Sequence, residues 1–206
     1  MKLKIFALLT ACVLLAACGP VTTSKITPTP ASKAIEMPIS ERPKISLTPS
    51  ADGHYLNLKL DGVPATITSI EYELVYNATD NGSQIEKGIG DTIKQITALI
   101  EKNLLLGTES CTNGCKYSYD KGIVGGQLTI NFIDNQGQES TFDTPYTLKT
   151  TADINKDGDI TLSDFSVKPK TKLTGNDYFV LIGNYRGGYS VFSSRQNSLV
   201  GDYQKN

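Results

Sequence analysis

Tyr55-Leu56-Asn57-Leu58-Lys59-Leu60-Asp61-Gly62 is the stretch that decides the fold, together with Ile70-Glu71-Tyr72-Glu73-Leu74-Val75-Tyr76 after it. In a strand, successive side chains point to opposite faces. Leu56, Leu58 and Leu60 therefore share one face, and Tyr55, Asn57 and Lys59 share the other. Ile70, Tyr72, Leu74 and Tyr76 repeat the pattern, and Asp80-Asn81-Gly82 turns the chain. Working outward, Ile45 and Leu47 alternate before the turn at Pro49 and Asp52-Gly53. Leu128, Ile130 and Phe132 alternate before Asp134-Asn135-Gln136-Gly137, and a strand over 140–148 returns from that turn. Short alternating strands separated by turn signals predict an all-β, antiparallel sandwich.

Residues 91–107 read two ways. Ile93, Ile96, Leu99, Ile100 and Leu104 recur at helical spacing, with Asp91 or Thr92 as a cap and Gly107 as a stop. A sandwich needs a strand here, so Leu104–Leu106 is read as extended, with room for a helical turn before it. In length and strand count, 44–150 resembles an immunoglobulin-like or fibronectin-III-like domain. The buried tryptophan and inter-sheet disulfide of antibody domains are absent, since the chain has no tryptophan. The resemblance implies a module that binds or spaces. Beyond it, Tyr178-Phe179-Val180-Leu181-Ile182 and Tyr189-Ser190-Val191-Phe192, joined through Arg186-Gly187-Gly188, read as a β-hairpin within 166–206. A piece that small needs the sandwich to pack on.

The N-terminus carries a different message. Lys2 and Lys4 precede an apolar run from Ile5 to Leu15, followed by Leu15-Ala16-Ala17-Cys18. A positive start, a short apolar core and small residues before a cut make a signal peptide, 1–17. The run is about half of the roughly 20 residues a spanning helix needs. Leu15-Ala16-Ala17-Cys18 resembles the lipobox of bacterial lipoproteins. That resemblance implies cleavage before Cys18, diacylglycerol on its sulfur and an acyl chain such as palmitate on its new amine. The protein would be a lipoprotein held on the outer side of a cell membrane or outer membrane through lipid on Cys18. Gly19, in place of the aspartate that marks inner-membrane retention, favours the outer membrane where the host has one. Residues 18–43 are rich in Thr, Ser and Pro, including Thr27-Pro28-Thr29-Pro30, and read as a tether of at most about 80 Å.

With Cys12 removed and Cys18 lipidated, Cys111 and Cys115 remain. In an oxidising compartment they pair as a disulfide across Thr112-Asn113-Gly114, a hairpin tip. A redox pair or two metal thiolates are the functional alternatives. Redox pairs more often use Cys-x-x-Cys, and no histidine or third cysteine lies near in sequence.

Asp153-Ile154-Asn155-Lys156-Asp157-Gly158-Asp159-Ile160-Thr161-Leu162-Ser163-Asp164-Phe165 resembles the calcium loop of the EF-hand, especially the dockerin type that ends in aspartate. The resemblance implies side-chain oxygens from Asp153, Asn155 and Asp157 aimed at one ion and a carbonyl from Asp159. Thr161 would contribute directly or through water, and Asp164 would close the shell. Extended Tyr146-Thr147-Leu148 before the loop and Pro169 after it depart from the helix-loop-helix pattern, and no second loop is visible. The other reading is a plain turn at Lys156-Asp157-Gly158, with Ile160 and Leu162, then Phe165 and Val167, as strand residues.

Charge excludes some classes. Without Lys2 and Lys4, the 20 basic residues fall to 18 against 21 acidic ones, a formal charge of −3. Neither a nucleic-acid face nor a polybasic membrane patch is implied. The one histidine, His54, begins a strand beside a turn. There is no Gly-x-Ser-x-Gly elbow, no zinc-type histidine pair and no phosphate loop, so the chain does not read as an enzyme. The expected function is a tethered binding or spacer module stiffened by structural calcium, with a surface protein or glycan as partner. The second reading is a dockerin-like assembly module. Tyr185, Tyr189 and Tyr203 could face a sugar or peptide, but partly buried strand tyrosines are the commoner outcome.

Overall fold

The computed structural model describes residues 33–195 and 201–205. Strands make up 61% of the structure, and one short helix accompanies them. The strands are β1 (Lys33–Ala34), β2 (Lys44–Pro49), β3 (Tyr55–Asp61), β4 (Ile67–Asp80), β5 (Ser83–Ile93), β6 (Leu99–Leu105), β7 (Gly107–Cys111) and β8 (Cys115–Tyr119). There follow β9 (Gly125–Asp134), β10 (Gln138–Thr150), helix α1 (Thr151–Asp157), β11 (Ile160–Leu162), β12 (Phe165–Pro169), β13 (Tyr178–Gly183), β14 (Tyr189–Ser193) and β15 (Gly201–Lys205).

Two antiparallel sheets form the sandwich. One runs β2-β3-β6 and the other β14-β13-β10-β9-β4-β5. Setting aside the hairpin β13-β14, this is an immunoglobulin-like strand order, with the first, second and fifth main strands in one sheet and the third, fourth, sixth and seventh in the other. The alternation read from the sequence selects the inner faces. Leu56, Leu58 and Leu60 of β3 meet Ile70, Tyr72, Leu74 and Tyr76 of β4 and Leu128, Ile130 and Phe132 of β9 in one buried cluster. A bulge at the start of β4, where the register with β9 shifts between Ile67 and Ser69, keeps Ile67 and Ile70 both inside. Between β5 and β6 the chain bends without a helical turn. The helical spacing of Ile93, Ile96 and Ile100 arises because one strand ends and another begins there.

The C-terminal hairpin extends the sandwich. β13 pairs with β10 from Tyr146↔Ile182 to Thr150↔Tyr178 and so widens the larger sheet. Its apolar residues are continuous because both of its faces are covered. Val180 and Ile182 enter the main core, while Phe179 and Leu181 enter a second one with Ile154, Ile160, Leu162 and Val167. The second core is roofed by α1 and the hairpin β11-β12, whose second strand pairs with β15.

The folded body begins earlier than the composition of 18–43 suggests. β1 runs parallel to the start of β10, Met37 is buried, and its amide donates to Ser140 Oγ at 3.1 Å. Arg42 donates to the carbonyls of Met37 at 2.8 Å and Tyr185 at 2.9 Å, and its guanidinium lies 4.9 Å from the Tyr185 ring centre. Residues 33–43 therefore belong to the folded body. Low hydropathy hid this, because the strap is held by one methionine and an arginine fork rather than by an apolar period. The expected signal peptide 1–17, Cys18 and the expected tether up to residue 32 lie outside the described residues.

Candidate functional site

The hairpin β7-β8 leaves the sandwich between β6 and β9 and carries the most unusual surface of the protein. Register pairs Gly107 with Tyr119, Glu109 with Tyr117 and Cys111 with Cys115. These six share one face, and Thr108, Ser110, Lys116 and Ser118 take the other. The disulfide between Cys111 and Cys115 closes the tip, as expected, with Gly114 supplying a φ of +94°. At the base, a side chain on Gly107 would overlap the backbone of Ser118, its Cβ lying 2.2 Å from the Ser118 carbonyl oxygen.

Tyr117 is 46% exposed and Tyr119 37%. Adjacent large rings this open to water form an exposed aromatic patch, the kind of surface that marks a binding site. Both are nevertheless held. The Tyr119 ring stacks on His54 with centroids 3.6 Å apart and planes 3° from parallel. Tyr55 meets it edge-on at 6.4 Å. Tyr117 lies parallel to Tyr119 with centroids 6.2 Å apart. Its hydroxyl is hydrogen-bonded to Glu109, which raises its pKa above the ordinary tyrosine value. His54 is oriented in turn by Asp52, whose carboxylate lies 3.2 Å from Nδ1. Hydrogen bonds from Ser50 and from the His54 amide keep that carboxyl below its ordinary pKa. The chain thus presents a row of three parallel rings edged by two carboxylates. The sequence signal was Lys116-Tyr117-Ser118-Tyr119, an alternation whose aromatic half has no core to enter on a two-stranded ribbon.

Glu109, Cys111 and Cys115 also bring three ligand-type atoms within 4.8 Å of one another, the one such group of His, Cys, Asp and Glu found among the described residues. Both sulfurs are spent in the S–S bond, so the group offers no thiolate while the bridge is intact.

The loop resembling an EF-hand folds differently from that expectation, and its six residues do not converge. Thr150 caps α1 and Asp153 completes a capping box, its carboxylate accepting from the Thr150 amide at 3.0 Å and hydroxyl at 2.6 Å. Asn155 bonds the backbone of Leu173 through both ends of its amide, at 2.9 and 3.0 Å. Lys149 takes the Asp157 carboxylate at 2.8 Å and the Asp159 carbonyl at 3.1 Å. Thr161 points outward from β11, and Asp164 accepts from the Tyr189 hydroxyl at 3.2 Å. Gly158 ends the helix at φ +88° rather than bending a loop around an ion. Ile160, Leu162, Phe165 and Val167 form the hairpin β11-β12, the plain-turn reading of the sequence. Asp153, Asn155, Asp157 and Asp164 are hydrogen-bonded to protein groups and Thr161 faces solvent, so this arrangement is not a calcium shell.

Two consequences can be measured. Thr150→Ala is expected to lower stability by about 1 kcal/mol, the usual worth of an N-cap. The hydrogen bonds from Thr150 hold the Asp153 carboxyl below its ordinary pKa. A depressed folded-state pKa contributes stability above the unfolded value near 4 and loses it as pH falls through the folded one. Amide protection factors across α1 should therefore fall selectively below about pH 4, and Asp153→Asn should remove that acid sensitivity. A fall that is uniform over the whole protein would contradict it.

The tyrosines singled out from the sequence are not a patch. Tyr185 is buried, stacked 5.6 Å from Phe132 and bonded to Ser140 Oγ at 2.6 Å. Tyr189 is half-buried and stacks on Phe165 at 4.3 Å. The side chain of Tyr203 lies outside the described residues. No helix among the described residues is long and apolar enough to cross a membrane. Comparison with protein-family models, curated proteins and solved structures finds no match to this chain.

Proposed function

We propose that this protein is a lipid-anchored extracytoplasmic binding module, tethered through Cys18, whose β-sandwich presents the hairpin β7-β8 to a partner. The observation that carries the binding role is the pair of exposed, parallel tyrosines on a disulfide-closed hairpin. Disulfide closure also agrees with an oxidising compartment. The rings are held before any partner arrives, so little side-chain freedom remains to be lost on association, a saving of about 0.5–1.5 kcal/mol for each ring.

The anchor supports the reading through its consequence for affinity. A membrane array holds many copies side by side, so a weak single contact gains by effective concentration. Nothing in the reading requires calcium, and millimolar calcium is expected to leave the melting temperature unchanged.

Mass spectrometry of the protein from its native host tests the anchor. The expected product begins at Cys18 and carries acyl mass. Cys18→Ser should leave residues 1–17 attached and abolish metabolic labelling with a fatty acid. A chain retaining Met1, or a trimmed chain without acyl mass, would remove the anchored reading.

A further inference from the structure

We infer that the face formed by Tyr117, Tyr119 and His54, edged by Glu109, binds neutral polysaccharide. This inference rests on the binding role proposed above and names its ligand class. A pyranose ring carries an apolar face of axial C–H bonds and a rim of hydroxyls. The first packs on the electron-rich face of an aromatic ring, and the second needs hydrogen-bond partners. The hairpin supplies both, in a row.

The rings are parallel and follow one strand, Tyr117 to Tyr119, then cross to His54 at the start of β3. At 3.6 Å His54 covers one face of Tyr119 and fixes it. The rings open to a ligand are therefore Tyr117 and the rest of Tyr119, two in line, which suits an extended chain. A lone organic cation is better served by rings that close around it from several sides. Glu109 accepts from the Tyr117 hydroxyl, and a carboxylate has about four lone-pair sites, so acceptor capacity is left for ligand hydroxyls. Asp52 provides a second carboxylate beside His54.

Charge narrows the class. The face pairs Gly107, Glu109 and Cys111 with Tyr119, Tyr117 and Cys115, and it contains no lysine or arginine. Lys116 stands on the opposite side of the ribbon. An anionic polymer such as a nucleic acid or a sulfated glycan would meet Glu109 and Asp52 with no compensating cation. A neutral polymer meets no such penalty.

The test is sedimentation of full-length, detergent-purified protein with washed cellulose, chitin and insoluble β-1,3-glucan. We expect co-sedimentation with at least one of the three, insensitive to added salt. Tyr117→Ala and Tyr119→Ala should each weaken it about tenfold and together abolish it. Melting temperatures should stay near wild type, because neither ring contributes to the core. Absence of sedimentation with all three polymers overturns the inference, as does full retention by the double variant. Salt-sensitive binding to polylysine beads in place of the polysaccharides overturns it also, since the strip would then read positive charge. Photo-crosslinking on native cells separates this failure from failure of the binding role. Crosslinks to a protein that vanish in the double variant, without polysaccharide binding, end the carbohydrate assignment and leave the binding role standing. Absence of both ends both.

Discussion

Phe179→Ala is expected to destabilise the protein by about 3–5 kcal/mol, the range for emptying a buried phenylalanine site. Phe179 is 2% exposed and packs with Ile154, Ile160, Leu162, Val167 and Leu181. Those residues come from α1, β11, β12 and β13, and the cluster is small. Neighbours drawn from short elements have few other contacts to fall back on, so the cavity cannot be refilled from a larger reservoir. The loss should be local before it is global. Val180 and Ile182, on the opposite face of the same strand, remain in the main core. Hydrogen exchange should therefore quicken over 151–169 well before it does in β3, β4 and β9. The melting temperature should fall by roughly 6–20 °C, at 2–4 °C per kcal/mol for a chain of this size. A fall of less than about 2 °C, or equal exchange in both layers, would show that the second core is not held by this ring.

Asp120→Ala should be the most costly polar substitution, at about 2–4 kcal/mol. Asp120 accepts from the Tyr76 hydroxyl at 2.8 Å and pairs with Lys87 Nζ at 2.6 Å. Its amide donates to the Leu106 carbonyl at 3.0 Å, and the next residue pairs with Thr79. One carboxylate thus ties the exit of the hairpin to β4 and β5. Tyr76 is 1% exposed, and burial first, then the hydrogen bond to Asp120, pushes its hydroxyl far above the ordinary pKa. The hydroxyl stays a neutral donor at working pH, and without Asp120 it has lost its acceptor inside the sandwich. The Lys87 side chain is 27% exposed, and water will satisfy part of its loss, which places the cost below that of a fully buried pair. Asp120→Asn keeps an acceptor for Tyr76 and should recover about half of the stability. Urea unfolding of Asp120→Ala, Tyr76→Phe and the double variant measures the coupling. Strict additivity of the two substitutions would dismiss the link. A loosened base should also lower affinity at the hairpin face, since Tyr119 immediately precedes Asp120.

Leu56, Leu58 and Leu60 made the strand of the first sheet legible, and Ile70 to Tyr76 made its partner in the second legible. A period of two with one apolar face has a single good burial. The disulfide was legible because a four-residue separation brackets an Asn-Gly turn. The run 178–182 was legible as a strand but not as a strand covered on both sides, since a continuous apolar run does not say which neighbours will cover it.

What was not legible has physical causes too. Asp153, Asn155, Asp157 and Gly158 fit a calcium loop in spacing and also fit a capped helical turn. Thr150, three residues before Asp153, offers it a capping partner, and the helical turn α1 follows. Lys149 then took Asp157. Tyr185 is buried, the commoner outcome for a strand tyrosine, but its partners Arg42 and Ser140 are distant in sequence.

Sequence by itself determined the strands, their inner faces, the hairpin with its bridge and the tail on which the lipid reading rests, because each depends on neighbours within a few residues. Which polar groups are spent and which stay open to a partner was settled only by tertiary structure. A carboxylate or a ring has several satisfactory partners, and chain folding chooses among them by bringing one within reach. Tyr117 and Tyr119 remain available because their ribbon has no second layer, whereas Tyr185 and Asp153 were claimed by residues the linear order does not place beside a ligand.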